Sequence, residues 1–141
     1  MGSDTATAGI SAERRTTWAR LLGIALWALQ ILLALQFLYV GFLKLSGSPA
    51  MVTVFATIGA GQWFRYVVGA LEIAGAIGLL IPRLSGLAAL CLVGLMVGAT
   101  ATQVFIIGHD QWVPISVLLL SALVAWGRWP QLQKLAGKFT R

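Results

Sequence analysis

Residues 21–43 carry no charged side chain, and apart from Gln30, Gln36 and Tyr39 every position there is apolar or small. A helix needs about 20 such residues to cross the hydrocarbon core of a bilayer. The run therefore places the chain in lipid, and composition agrees: 59% of the 141 residues are hydrophobic and 10% charged, with a mean hydropathy of +0.89. A soluble domain normally carries roughly 25% charged residues. The run is also too long for the apolar region of a secretory signal, and no Ala-x-Ala-like site follows it closely, so it is expected to be a retained helix.

Three further apolar stretches follow. A span is expected over 63–81, stopped by Pro82 and Arg83; another over 84–107, before the polar turn Gly108, His109 and Asp110; and a last over 112–126, before Gly127 to Pro130. Between the first two spans Ser48 can cap a helix, Pro49 suits its first position, and Met51, Phe55 and Ile58 recur at i, i+4 and i+7. These features predict a short amphipathic helix over 49–58, ended by Gly59, Ala60 and Gly61. The expected fold is all-α: an integral membrane four-helix bundle with a short amphipathic helix between spans one and two. Residues 1–17 are small and polar and predict a disordered tail, 18–130 the bundle, and 131–141 a basic tail on the cytoplasmic face. In that tail Lys134, Lys138 and Arg141 alternate with Leu132, Leu135 and Phe139, a pattern suited to an anionic membrane surface.

The net charge of +6 does not form the stripe that nucleic acid requires. It reports topology instead. With four spans, Arg14, Arg15, Arg20, Arg83, Arg128, Lys134, Lys138 and Arg141 share one side, and Lys44 and Arg65 the other. The positive-inside rule then puts both termini in the cytoplasm, in a multi-pass protein of the cell inner membrane. Cys91, the single cysteine, lies in an apolar run, which excludes an intramolecular disulfide and a CxxC centre. One histidine and scattered carboxylates offer no metal-ligand cluster, and there is no phosphate-cradling glycine loop or nucleophile triad.

Glu72 is the most informative residue. It lies about 13 Å beyond Trp63 along a helix axis, near mid-span, where an ionised carboxylate costs at least about 2.5 kcal/mol on insertion scales. It needs a cation, a proton or a wet cavity. Lys44 ends the first span at the same outer level and can reach inward, so a Lys44–Glu72 pair is the expected contact. Arg65 shares the helix face of Glu72, while Thr100 and Gln103 share a face of the third span. With Gln36, Tyr39 and His109 these groups outline a polar pocket in the outer half of the bundle. Plainer roles stand beside this. Glu72 and Lys44 can be a buried pair that fixes register, His109 a solvated loop residue, Tyr39 and the tryptophans interface anchors, and Gln36, Thr100 and Gln103 cross-links between helices.

The run GFLKLSG from Gly41, then Phe55 to Gly59, then GALEIAGAIGLL from Gly69, is similar to the DoxX-like pattern G-x-x-K-L followed by G-x-x-E-x-x-G. MVGATAT from Met96 and VAWGR from Val124 resemble that family's third and fourth helices, so the resemblance spans about residues 20–130. It implies a four-helix membrane bundle with the short segment packed at the outer side and Lys44 and Glu72 as the matched positions. It also implies work beside membrane redox complexes, one relative being a small subunit of a thiosulfate:quinone oxidoreductase. Other relatives are linked to defence against reactive quinones or thiols, and distant ones to receptor assembly.

Two functions are therefore expected to compete. In the first the chain is a membrane subunit of a quinone-linked oxidoreductase: Glu72 exchanges the proton, Lys44 holds its charge or polarises a quinone carbonyl, and Gln103 and Tyr39 orient the ring. A membrane quinone is then the ligand, nothing is bound covalently, and electrons come from a redox partner subunit, because no flavin, haem or iron–sulfur ligand set is visible. In the second the chain is a non-enzymatic scaffold or assembly factor for another membrane protein, with the glycine-rich second span as its basis. Self-association into a homo-oligomer is compatible with both. An exporter is disfavoured by the short chain and the lack of an inverted repeat.

Overall fold

The computed structural model describes residues 2–140, and among them the chain is all helical. The order is α1 (Gly2–Ser46), α2 (Pro49–Ile58), α3 (Gln62–Leu80), α4 (Ser85–Thr102), a π-helical turn (Gln103–Ile107), α5 (Trp112–Gly127) and α6 (Trp129–Phe139).

The breaks lie where local chemistry puts them. Pro49 occupies the first turn of α2, where its missing N–H is no loss. Gly59 ends that helix in the left-handed region at φ 78°, which glycine adopts without a Cβ penalty, and its N–H satisfies the Phe55 and Ala56 carbonyls. Ser48 precedes α2 as expected but makes no side-chain cap, leaving its main-chain carbonyl to accept the Val52 N–H. Ile81 is extended because Pro82 disfavours the α region for the residue before it, so α3 stops at Leu80.

Four helices supply the core. Leu33, Ala34 and Phe37 of α1 meet Ala76 and Leu79 of α3, Ala88, Ala89, Leu92 and Met96 of α4, and Val124 and Ala125 of α5. Small residues let the helices approach: a Cβ on Gly75 would lie 2.6 Å from a methyl of Leu92. Around this core the exterior is apolar, with Leu22, Ile24, Leu32, Leu35, Phe42, Leu71 and Leu119 all at least half exposed. Such a surface suits lipid and not water. The helices α1, α3 and the stretch Ser85–Ile107 are each long and apolar enough to cross a membrane. Trp112–Gly127 reaches that standard only together with Trp129–Phe139, from which it is bent by 65°.

Among the described residues there are six α-helices: α1, α3, α4 and α5 lie on the four expected stretches, α2 is the expected short helix, and α6 is a helix of its own where a basic tail was expected. One expectation is corrected: the segment expected as a disordered tail is helical from Gly2, continuous with α1. Its residues from Asp4 to Arg20 are all exposed, so no packing explains the helix. Propagation does: a long helix already nucleated in α1 needs only one hydrogen bond per added residue, and Ala6, Ala8, Ala12, Glu13, Arg14 and Arg15 favour it. The hydroxyls of Ser11, Thr16 and Thr17 fold back onto the carbonyls of Thr7 and Glu13 within this helix.

Candidate functional site

The site is built at the seam between α1 and α3. A Cβ on Gly69 would stand 3.0 Å from the Cβ of Lys44, so the two backbones touch one turn before Glu72. This contact delivers the Lys44 ammonium to the Glu72 carboxylate, Nζ to Oε1 at 2.5 Å, with the side chains 11% and 1% exposed. The expected contact is therefore present.

Arg65 serves the same seam. Its Nη1 donates to the main-chain carbonyl of Lys44 and its Nε donates to Gln62 Oε1 at 2.9 Å. The last carbonyls of α1 have no partner within the helix, and a cation there also opposes the negative end of the helix dipole. Gln62 in turn donates to the Val52 carbonyl of α2 at 3.1 Å. A continuous chain of polar contacts thus ties α2 to α3, α3 to the end of α1, and that end to Glu72.

Beneath α2 lies a cavity of about 480 Å³, within the range of small-ligand sites. Lys44, Glu72, Gln36, Gln103 and Asp110 line it, but most of its wall is apolar, supplied by residues such as Met51 and Phe55 of α2, Phe37, Phe64, Met96 and Val117. The cavity is thus mainly greasy, with an ion pair in its wall. Glu72 Oε2 is buried without a hydrogen-bond partner among the described residues.

Four of the other expected residues fall outside it. Tyr39 is 63% exposed and does not line the cavity. Thr100 spends its hydroxyl on the Met96 carbonyl at 2.7 Å within its own helix. Arg65 is buried but holds the α1 terminus instead of facing the cavity. His109 is exposed in the loop, where Nδ1 meets Asp110 Oδ2 at 2.9 Å. Gln103 does line the cavity, and its amide donates to the His109 carbonyl at 3.2 Å. It also opens the π turn, since Gly108 N–H bonds back to its carbonyl at 2.7 Å, five residues away. Such turns often interrupt helices at functional sites. Among the described residues no three His, Cys, Asp or Glu side chains gather as metal ligands would.

Sequence reasoning missed two features. The periodicity of Met51, Phe55 and Ile58 marked a helix, but the same face is a wall of the cavity. At the opposite end of the bundle Gln30 is fully buried: it donates to the Leu79 carbonyl at 2.8 Å and accepts from Arg128 Nε at 2.9 Å. The signal was there, an amide in an apolar span and an arginine at the matching depth of the last one.

No curated protein and no solved structure matches the chain. A family description does, over residues 28–126, a stretch that holds the G-x-x-K and G-x-x-E segments brought together at the α1–α3 seam. By that match the protein belongs to the DoxX-like family.

Proposed function

We propose that this DoxX-like membrane protein is a four-span bundle that receives a lipophilic molecule of the quinone type in the cavity beneath α2, as part of a redox or redox-stress system. The observation that carries the reading is the combination of a mainly apolar cavity with a buried carboxylate–ammonium pair in its wall. A quinone partitions into lipid, has a flat apolar body that such walls accommodate, and gains protons when it takes up electrons. Glu72 is positioned to exchange a proton with it, and Lys44 to hold the charge of the carboxylate or to donate to a ring oxygen. Electrons come from a partner subunit, since these residues carry none. Gln103 is the remaining orienting group; Tyr39, turned away from the cavity, has no part in it. The protein sits in the cell inner membrane with both termini cytoplasmic, so that the cavity belongs to the extracytoplasmic half.

The test is saturable protection of the lipid-reconstituted protein by a quinone analogue against thermal unfolding, repeated with Glu72→Gln and Lys44→Met. Protection in the wild type that weakens in both variants supports the reading. Absence of protection in the wild type, with no quinone-stress phenotype on deletion, overturns it.

A scaffold role has one observation of its own: Phe105 and Trp112, close in sequence to the cavity residues Gln103, Ile107 and Val113, are 85% and 74% exposed. Aromatic side chains so placed can anchor in the membrane interface or meet a partner protein. Loss of a co-purifying partner on Phe105→Ala and Trp112→Ala, with quinone protection absent, would favour that reading.

A further inference from the structure

The cavity's hydrogen-bonding account does not close. Among the described residues three buried side-chain atoms have no partner: Glu72 Oε2, Ser121 Oγ and Arg128 Nη2. Only Glu72 belongs to the cavity wall. A buried acceptor left unpaired forfeits the full desolvation cost of the group, so whatever occupies the cavity gains by supplying a donor.

None of the donors already there bonds to it. Gln103 spends its amide on the His109 carbonyl, and Arg65 spends Nε and Nη1 on Gln62 and on Lys44. Lys44 is committed to Oε1, yet an ammonium carries three N–H groups, so it retains capacity to donate to a ligand. The pair thus presents an unmet acceptor beside a partly free donor. A hydroxyl answers both at once, donating to Oε2 while accepting from Lys44; an ether or a ketone can answer only Lys44.

Charge narrows the class further. Lys44 and Glu72 cancel, so the pair presents no net charge to a ligand. An ammonium can donate to Oε2 but offers no acceptor to Lys44, and a carboxylate or phenolate would bring another acceptor against Oε2. Asp110, also in the wall, is exposed and engaged with His109.

We infer that the cavity selects a neutral lipophilic hydroxyl compound, a phenol or long-chain alcohol, over the matching ether or carbonyl compound. This rests on the cavity being a ligand site, and it specifies the polar group such a ligand must carry. Applied to the quinone-type reading, it favours retention of the reduced, hydroxyl-bearing form.

The test uses the full chain in lipid nanodiscs with two probes of one shape, 4-nonylphenol and 4-nonylanisole, each expressed as mole fraction in lipid so that partitioning cancels. The phenol is expected to protect at roughly ten-fold lower mole fraction or better, the effect of one buried acceptor being met. Glu72→Gln should shrink that preference. Because this variant leaves Lys44 unpaired and can misfold, the charge-free double variant Glu72→Leu with Lys44→Met is read beside it, and there both probes should bind alike. Equal binding of the two probes to the wild type overturns the inference and leaves the cavity as an unselective site, its acceptor then being met by water. A preference that survives in the double variant also overturns it. Binding of neither probe removes the ligand site itself, and with it the quinone-type reading.

Discussion

Gly41 and Gly69 face each other across the α1–α3 seam, each so near that a Cβ on one would stand 3.0 or 3.1 Å from the main-chain oxygen of the other. Backbone cannot give way as a flexible side chain does. Gly69→Ala is therefore expected to push the helices apart, lower the thermal unfolding temperature in detergent, and cost about 1–3 kcal/mol, as overpacking does. Gly94→Ala is the control, for nothing lies within 4 Å of its Cβ position. It should be neutral or slightly stabilising on helix propensity. Equal effects of the two substitutions would show that the seam is not tight.

The ion pair behind that seam predicts a pattern, not only a loss. Lys44→Met leaves the Glu72 carboxylate buried without a cation, and Glu72→Gln leaves the Lys44 ammonium unpaired, each at a cost of about 3–5 kcal/mol by the behaviour of broken buried pairs. The double variant removes both charges and should lose much less than the sum of the two. A double-mutant cycle on unfolding in bicelles measures this. Additive losses would mean that the two side chains do not depend on each other in lipid.

How much of this arrangement was legible follows from what kind of signal each residue gave. A lone carboxylate in hydrocarbon demands a cation, and only Lys44 and Arg65 were at its level, so the pair could be read from the sequence. Pro49, Gly59 and Pro82 act through their own backbones and marked the breaks. Side-chain direction on α1 was another matter. Its apolar residues run all round the helix, so no stripe tells which side is inward, and consecutive residues point about 100° apart. That is why Phe37 and Val40 turn to the cavity while Tyr39 turns out. Thr100 illustrates a different gap: a hydroxyl that bonds its own helix leaves no mark of that bond in the sequence. The greasy wall contributed by α2 depends on tertiary packing that periodicity alone does not reveal.

The polar cluster at the other end carries its own expectation. Leu79 is in the last turn of α3, where carbonyls lack helical donors, and Gln30 supplies one while accepting from Arg128, whose guanidinium lies 5.5 Å from the Trp27 ring. Gln30→Leu strands both the carbonyl and the guanidinium N–H and should cost about 1–3 kcal/mol. Gln30→Glu retains an acceptor for Arg128 but loses the donor to Leu79, and should fall between wild type and Gln30→Leu. Stability of the three proteins in one detergent decides; indifference to Gln30→Leu would show that water replaces the amide.

The number of crossings can be settled by parity. Helices α1, α3 and Ser85–Ile107 are each long enough to cross, whereas α5 meets that test only with α6, and the two are bent by 65°. If α5 crosses by itself, α6 lies near the membrane plane, its Lys134 and Lys138 toward headgroups, and both ends of the chain share a side. If α5 turns back, the ends lie on opposite sides. The basic residues argue for the first case, because Arg128, Lys134 and Lys138 then join Arg14, Arg15, Arg20 and Arg83 on one side, which the positive-inside rule makes the cytoplasmic one. In a Cys91→Ala background, Ser11→Cys and Thr140→Cys are expected to react with an impermeant maleimide only from the cytoplasmic side, and Ser48→Cys only from outside. Labelling of Ser11→Cys and Thr140→Cys from opposite faces would mean an odd number of crossings, and would take α5 out of the spanning set although it shares the core.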